Sequence, residues 1–205
     1  MAAAITHIVL TEKIFDKFFA NKSKKEFFIG TCFPDIRKIA SINRDKTHFT
    51  GLSVVDLKDE ESFLAGVKFH SILELAREKF VLESGLYSLF PKSKYVVQAL
   101  KILEDELFYD RVKSWDLYNN YLNDILAEEK EFGVAEPDLR KWHSLLQEYF
   151  KQEPTPETEN IFLSSLGISE SAVTEINENL SQMRGNKKIV EVLDELYNKF
   201  DRLVF

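Results

Sequence analysis

The chain has 205 residues, 44% hydrophobic and 30% charged, a balance that suits a folded globule with a substantial core and excludes a disordered chain. Its net charge of −7 and pI near 5.3 argue against duplex nucleic acid as a partner. The single cysteine, Cys32, excludes an internal disulfide, and no apolar run approaches the ~20 residues that cross a bilayer.

Helical periodicity runs throughout and predicts an all-α multi-helix bundle. Residues 1–153 read as one helical domain, and 154–205 as a C-terminal helical extension packing on it. The N-terminus lacks a charged n-region and meets Glu12 and Lys13 too early for a secretory signal, so a cytoplasmic location is expected. The first helix is predicted from near Ile5, with Ile8, Ile14, Phe15, Phe18 and Phe19 toward the core. His7 either faces inward or sits at the helix entrance. A short helix over 24–31 follows, burying Phe27, Phe28 and Ile29. Pro34 disfavours helical geometry at Phe33 and leaves Asp35 on a loop.

Residues 37–46 are basic and loop-like. Residues 1–50 carry nine Lys/Arg against five Asp/Glu, a net of +4, so the remainder carries −11. Arg37 and Arg44 are candidates for a substrate phosphate; an ordinary solvated loop is the alternative. His48 lies in a polar connection. A helix over 62–82 follows, its acidic lead-in Asp59, Glu60 and Glu61 favourable to the helix dipole. Gly66, His70 and Glu74 form one i, i+4 line on it. Gly66 weakens a helix by ~1 kcal/mol relative to alanine, which points to close packing or to access for a substrate.

Gly85 and Pro91 break the chain before a helix over 93–112, whose Glu104, Asp105, Glu106 and Asp110 read as an exposed acidic face or as a source of a second-metal carboxylate. Ser114 is expected to cap one helix running to Gly133. Pro137 opens the next, in which His143 is structural or superficial. Beyond the QEPTPETEN linker come three helical patterns. The last is amphipathic through Ile189, Val192, Leu193, Leu196 and Phe200, a stripe that folds back on the body or pairs with a second copy as a homodimer.

Asp35, His48, His70 and Glu74 are a chemically sufficient donor set for a divalent metal. Their spacing, D-x12-H-x21-H-x3-E, is not compact, and the plain alternative is a core histidine bonded to a carbonyl beside a solvated glutamate.

THIVLTEKIF, the G-x-x-x-P-D of GTCFPD, the THF of DKTHF and the A-G-x-x-x-H-x-x-x-acid of AGVKFHSILE, in that order, resemble the zinc-dependent phospholipase C family. The resemblance covers about the first 80 residues. It implies an all-helical fold and carries ligand roles onto His7, Asp35, His48 and His70. Glu74 stands where the family has Asp, with one methylene more of reach. The family's further His, His and Glu have no counterpart, since only His143 remains downstream, with Gln147 at i+4. One metal or two is therefore expected, zinc first, with manganese or iron alternatives. Met1 and three alanines precede the first motif, so an N-terminal amine ligand is not expected.

The function implied is a metal-dependent phosphoesterase acting through a metal-activated water on a phosphate-ester small molecule or a lipid headgroup. Asp35 and Glu74 are its candidate catalytic carboxylates, Asp35 the preferred general base. The competing expectation is an inactive helical scaffold that keeps the fold with a structural metal.

Overall fold

The computed structural model describes residues 4–90 and 92–205; the expectations placed on Met1 and Pro91 lie outside them. Among the described residues there are ten α-helices and no strand. They are α1 (Ala4–Phe18), α2 (Lys24–Cys32), α3 (Ser62–Glu83), α4 (Val96–Phe108), α5 (Asp116–Tyr121), α6 (Ala127–Glu131), α7 (Glu136–Phe150), α8 (Pro156–Ser165), α9 (Glu170–Arg184) and α10 (Lys187–Leu203). None is long and apolar enough to cross a membrane.

α3 is the central helix. Its buried residues run all round, from Phe63 and Val67 through Phe69 and His70 to Leu73, Ala76 and Arg77, as expected of a helix wrapped by others. α2 packs closely along it, while α10, α1 and the single turn Val54–Leu57 cover other sides. Two glycines make the α2–α3 contact. A Cβ on Gly66 would lie 2.1 Å from the Phe27 carbonyl oxygen, and one on Gly30 would lie 2.2 Å from that of Phe63. The glycine one turn before His70 is thus a place where two backbones meet.

Phenylalanine fills the joint between α1, α2 and α3. Phe19 and Phe27 have ring centroids 4.5 Å apart, and both lie within 5.7 Å of Phe69. Such pairs add roughly 0.5–1.5 kcal/mol each beyond area burial.

Glu104, Asp105 and Glu106 of α4 do not form an exposed acidic face, whereas Asp110, in the turn after α4, is exposed. Glu104 and Asp105 are fully buried. Glu104 receives the Arg77 guanidinium of α3, with Nε at 3.0 and 3.2 Å from its two oxygens. Asp105 accepts from Thr6 N at 2.7 Å and Thr6 Oγ1 at 2.8 Å, satisfying a backbone donor in the first turn of α1 and pinning His7 beside α4. Glu106 is forked by Arg184 of α9, which also reaches Glu159 at 3.1 Å.

Glu159 carries a testable pH dependence. Burial, then the neighbouring Glu106, push its carboxyl up to about 8 from 4.5. Between those values the folded chain binds more protons than the unfolded one, so stability falls as pH rises. Asp105, pushed by burial up to about 7, acts in the same direction. The melting temperature should drop between about pH 5 and pH 8, and Glu159→Gln should flatten the drop. Superimposable pH profiles for the two proteins would refute the assignment.

The predicted helix from Ser114 to Gly133 is instead two, α5 and α6. The Leu122 carbonyl accepts from His143 Nδ1 at 3.0 Å, and Leu126 N donates to Glu129 Oε2 at 2.8 Å. These backbone groups bond to side chains, and residues 122–126 lie outside both helices. The α10 stripe of Ile189, Val192, Leu193, Leu196 and Phe200 is buried against α3, α1 and α9. Folding back therefore covers the surface that a homodimer through this helix would need.

Candidate metal centre

Four elements carry the five candidate donors, of which His7, His70 and Glu74 fall into one group that could hold a metal. His7 comes from the second turn of α1, Asp35 from the 3-10 turn Phe33–Lys38, His48 from the connection after Arg44–Lys46, and His70 and Glu74 from one face of α3. Pro34 opens the 3-10 turn, so Asp35 lies on a tight helical turn where the sequence predicts a loop.

His70 is fully buried, and its ring is stacked on that of His7 with centroids 4.4 Å apart and planes 10° apart. His48 meets His70 edge-on at 5.1 Å. One donor atom each of His7, His70 and Glu74 lie within 4.8 Å of one another. His48 joins through Glu74: His48 Nε2 and His70 Nε2 both stand 3.7 Å from Glu74 Oε2. That separation is too long for a hydrogen bond and near the roughly 3.4 Å edge of a tetrahedral site with 2.0–2.2 Å bonds.

The hydrogen bonds behind the rings fix which nitrogen is free. His70 Nδ1 is 2.9 Å from the Thr31 carbonyl, which only accepts, so Nδ1 carries the proton and Nε2 keeps its lone pair. His70 Nε2 is buried with no hydrogen-bond partner. Thr47 Oγ1 donates to the Arg44 carbonyl at 3.2 Å and so accepts from His48 Nδ1 at 3.0 Å, again leaving Nε2 as the lone-pair atom. Both lone-pair nitrogens stand 3.7 Å from the same carboxylate oxygen.

The charges agree. Burial, then His7, bring the His70 ring down to about 3; burial, then Arg44, bring His48 down to about 4. Both are neutral at pH 7, the form a cation needs. Burial works against ionising Glu74, but Lys101 beside it, followed by His70 and His7, hold it far below the usual carboxylate range. Asp35 likewise stays below its ordinary value despite burial, through His70 and His7. Cys32, next to the P-D turn, is pushed upward by burial and then by Asp35, which keeps it a thiol and not a thiolate ligand.

No family model, no curated protein and no solved structure matches the sequence. The functional reading rests on the chain's own residues.

The two sides of the cluster differ. His48 and Glu74 line an open pocket of about 510 Å³ whose walls include Arg44, Phe49, Leu75 and Lys101. His7 and Asp35 line a closed crevice with Cys32 and Trp142. Of the two arginines singled out for phosphate, Arg44 is on the pocket wall; Arg37 is half-buried and is not among its lining residues. Lys101 and Arg77, which the sequence does not single out, both line it. A second cavity, about 340 Å³ between α7 and α8, holds no histidine or cysteine.

Proposed function

We propose that the protein is a metal-dependent phosphoesterase, its metal held by His7, His48, His70 and Glu74 with Asp35 adjoining. One observation carries this reading: two tautomer-fixed imidazole Nε2 atoms converge on one oxygen of Glu74, a carboxylate that lines an open pocket together with Arg44, Arg77 and Lys101 and the acidic Asp45 and Glu78. Zinc suits the imidazole-rich set best, with manganese or iron as alternatives. A divalent cation there would supply an activated water and polarise a phosphoryl oxygen.

The chain's own groups divide the remaining work. Thr31 and Thr47 hold two rings in the ligating tautomer. Glu74 is the carboxylate that meets the pocket and is the candidate base for a pocket water. Asp35, on the closed side, contributes charge to the cluster and is the weaker candidate for that base. Arg44 at the rim attracts the anionic substrate, a phosphate-ester small molecule or a lipid headgroup. The competing reading, an inactive scaffold, draws on the Glu74–Lys101 pair at 2.9 Å, which Arg77–Glu104 repeats one turn further along the α3–α4 contact.

Metal content and turnover decide between them. Protein purified without added metal should hold close to one divalent ion per chain. It should cleave phosphodiesters or phosphomonoesters faster than carboxylic esters, with chelation abolishing the activity. A chain that takes up no zinc or manganese, or a metal-loaded chain without phosphoesterase turnover, removes the proposal.

A further inference from the structure

We propose that Lys101 is a binding residue of this pocket, an ammonium that contacts the phosphoryl anion of the substrate from the pocket wall. The inference rests on the metal-dependent phosphoesterase reading.

Lys101 comes from α4, and its Nζ lies 2.9 Å from Glu74 Oε1, leaving Oε2 to face His48 and His70. Its side chain is only 12% exposed, yet it lines the pocket. Placing an ammonium there costs desolvation, which a surface lysine would avoid. Bracing α3 against α4 does not require it. One turn further on, Arg77 and Glu104 already make a buried, forked ion pair across the same interface.

The pocket's other cations are differently placed. Arg77 is occupied by Glu104, Glu78 and Tyr87. Arg44 is exposed at the rim, near Asp45. Lys101 is the pocket cation paired with Glu74, and so the one that stands beside the donor set. A tetrahedral anion reaching an ion beside Glu74 Oε2 also comes within range of the ammonium on Oε1. Lysine serves such a role as a point charge with rotatable donors, without the bidentate geometry of arginine.

The test uses the full zinc-loaded chain, with inorganic phosphate as the probe, measured by calorimetry and as an inhibitor of turnover. Lys101→Met should keep wild-type metal stoichiometry and fold, since Arg77–Glu104 remains. Its phosphate affinity should fall roughly tenfold to a hundredfold, the loss of one charged hydrogen bond. Lys101→Arg should restore most of the loss. Equal phosphate affinity in wild type and Lys101→Met overturns the inference and leaves the metal reading standing. Loss of metal in Lys101→Met overturns it too, because the lysine's work would then be to hold Glu74. A wild-type chain that takes up no metal overturns the proposed function itself, and the inference with it.

Discussion

Gly66→Ala should destabilise the fold by about 3 kcal/mol or more, although it removes a glycine from the middle of a helix. Propensity alone predicts a gain of ~1 kcal/mol. The packing term opposes it and is larger. The new methyl would stand 2.1 Å from the Phe27 carbonyl oxygen and 2.9 Å from its carbon, both backbone atoms of α2 that no rotamer change can move. The helices must separate instead, and the separation pulls the Thr31 carbonyl from His70 Nδ1. Gly30→Ala strikes the same interface from the other side, where the Phe63 carbonyl stands 2.2 Å away. Each variant should melt about 6–12 °C lower, given roughly 2–4 °C per kcal/mol for a chain of this size. The double variant should lose less than the sum, because one separation relieves both clashes. Gly66→Ala at wild-type stability in denaturant titration would mean that α2 and α3 do not meet as described.

Glu74→Ala should weaken metal binding by on the order of a hundredfold or more, beyond the 10–100-fold typical of outer-shell partners. It removes the oxygen on which both imidazole Nε2 atoms converge and leaves Lys101 without its carboxylate. Glu74→Asp keeps a carboxylate on the same helix face and should retain metal. His143→Ala is the control. His143 Nε2 lies 2.8 Å from Glu129 Oε1, both residues are buried, and neither belongs to the donor cluster. Removing the ring strands Glu129 and should cost about 3 kcal/mol of stability with metal content unchanged. Full metal occupancy in Glu74→Ala together with its loss in His143→Ala would sink the assignment and move the site to α6 and α7.

Local chemistry explains what was legible from residues alone. The i, i+4 relation of His70 and Glu74 follows from helical geometry, and the structure keeps both on one face of α3. α2 ends at Cys32, one residue past the predicted boundary, but Phe33 keeps helical angles of φ −59° and ψ −41°, so Pro34 opens the 3-10 turn without driving its neighbour out of helical geometry. The α10 stripe is apolar on one face only, so its burial was written in its periodicity. Thr47 beside His48 was visible in the THF motif, though its part in fixing the tautomer was not.

The rest depends on how helices cross, which no local pattern encodes. Whether Gly66 served access or packing was decided by Gly30, 36 positions away, where α2 lies backbone to backbone on α3. That crossing sets the Thr31 carbonyl against His70 and so selects the lone pair that faces the site. His7 at a helix entrance or in the cluster was settled by Asp105, which clamps Thr6 to α4. The acidic stretch of α4 looked solvated because its partners Arg77, Thr6 and Arg184 lie 27, 99 and 78 positions away. Lys101 carried no signal, since a lysine in an apolar helix acquires meaning only from the carboxylate set opposite it. Helical periodicity thus determined the elements and one face of the site. Long-range contacts, which form only once the backbones have met, decided its tautomers, its charge and its opening to a pocket.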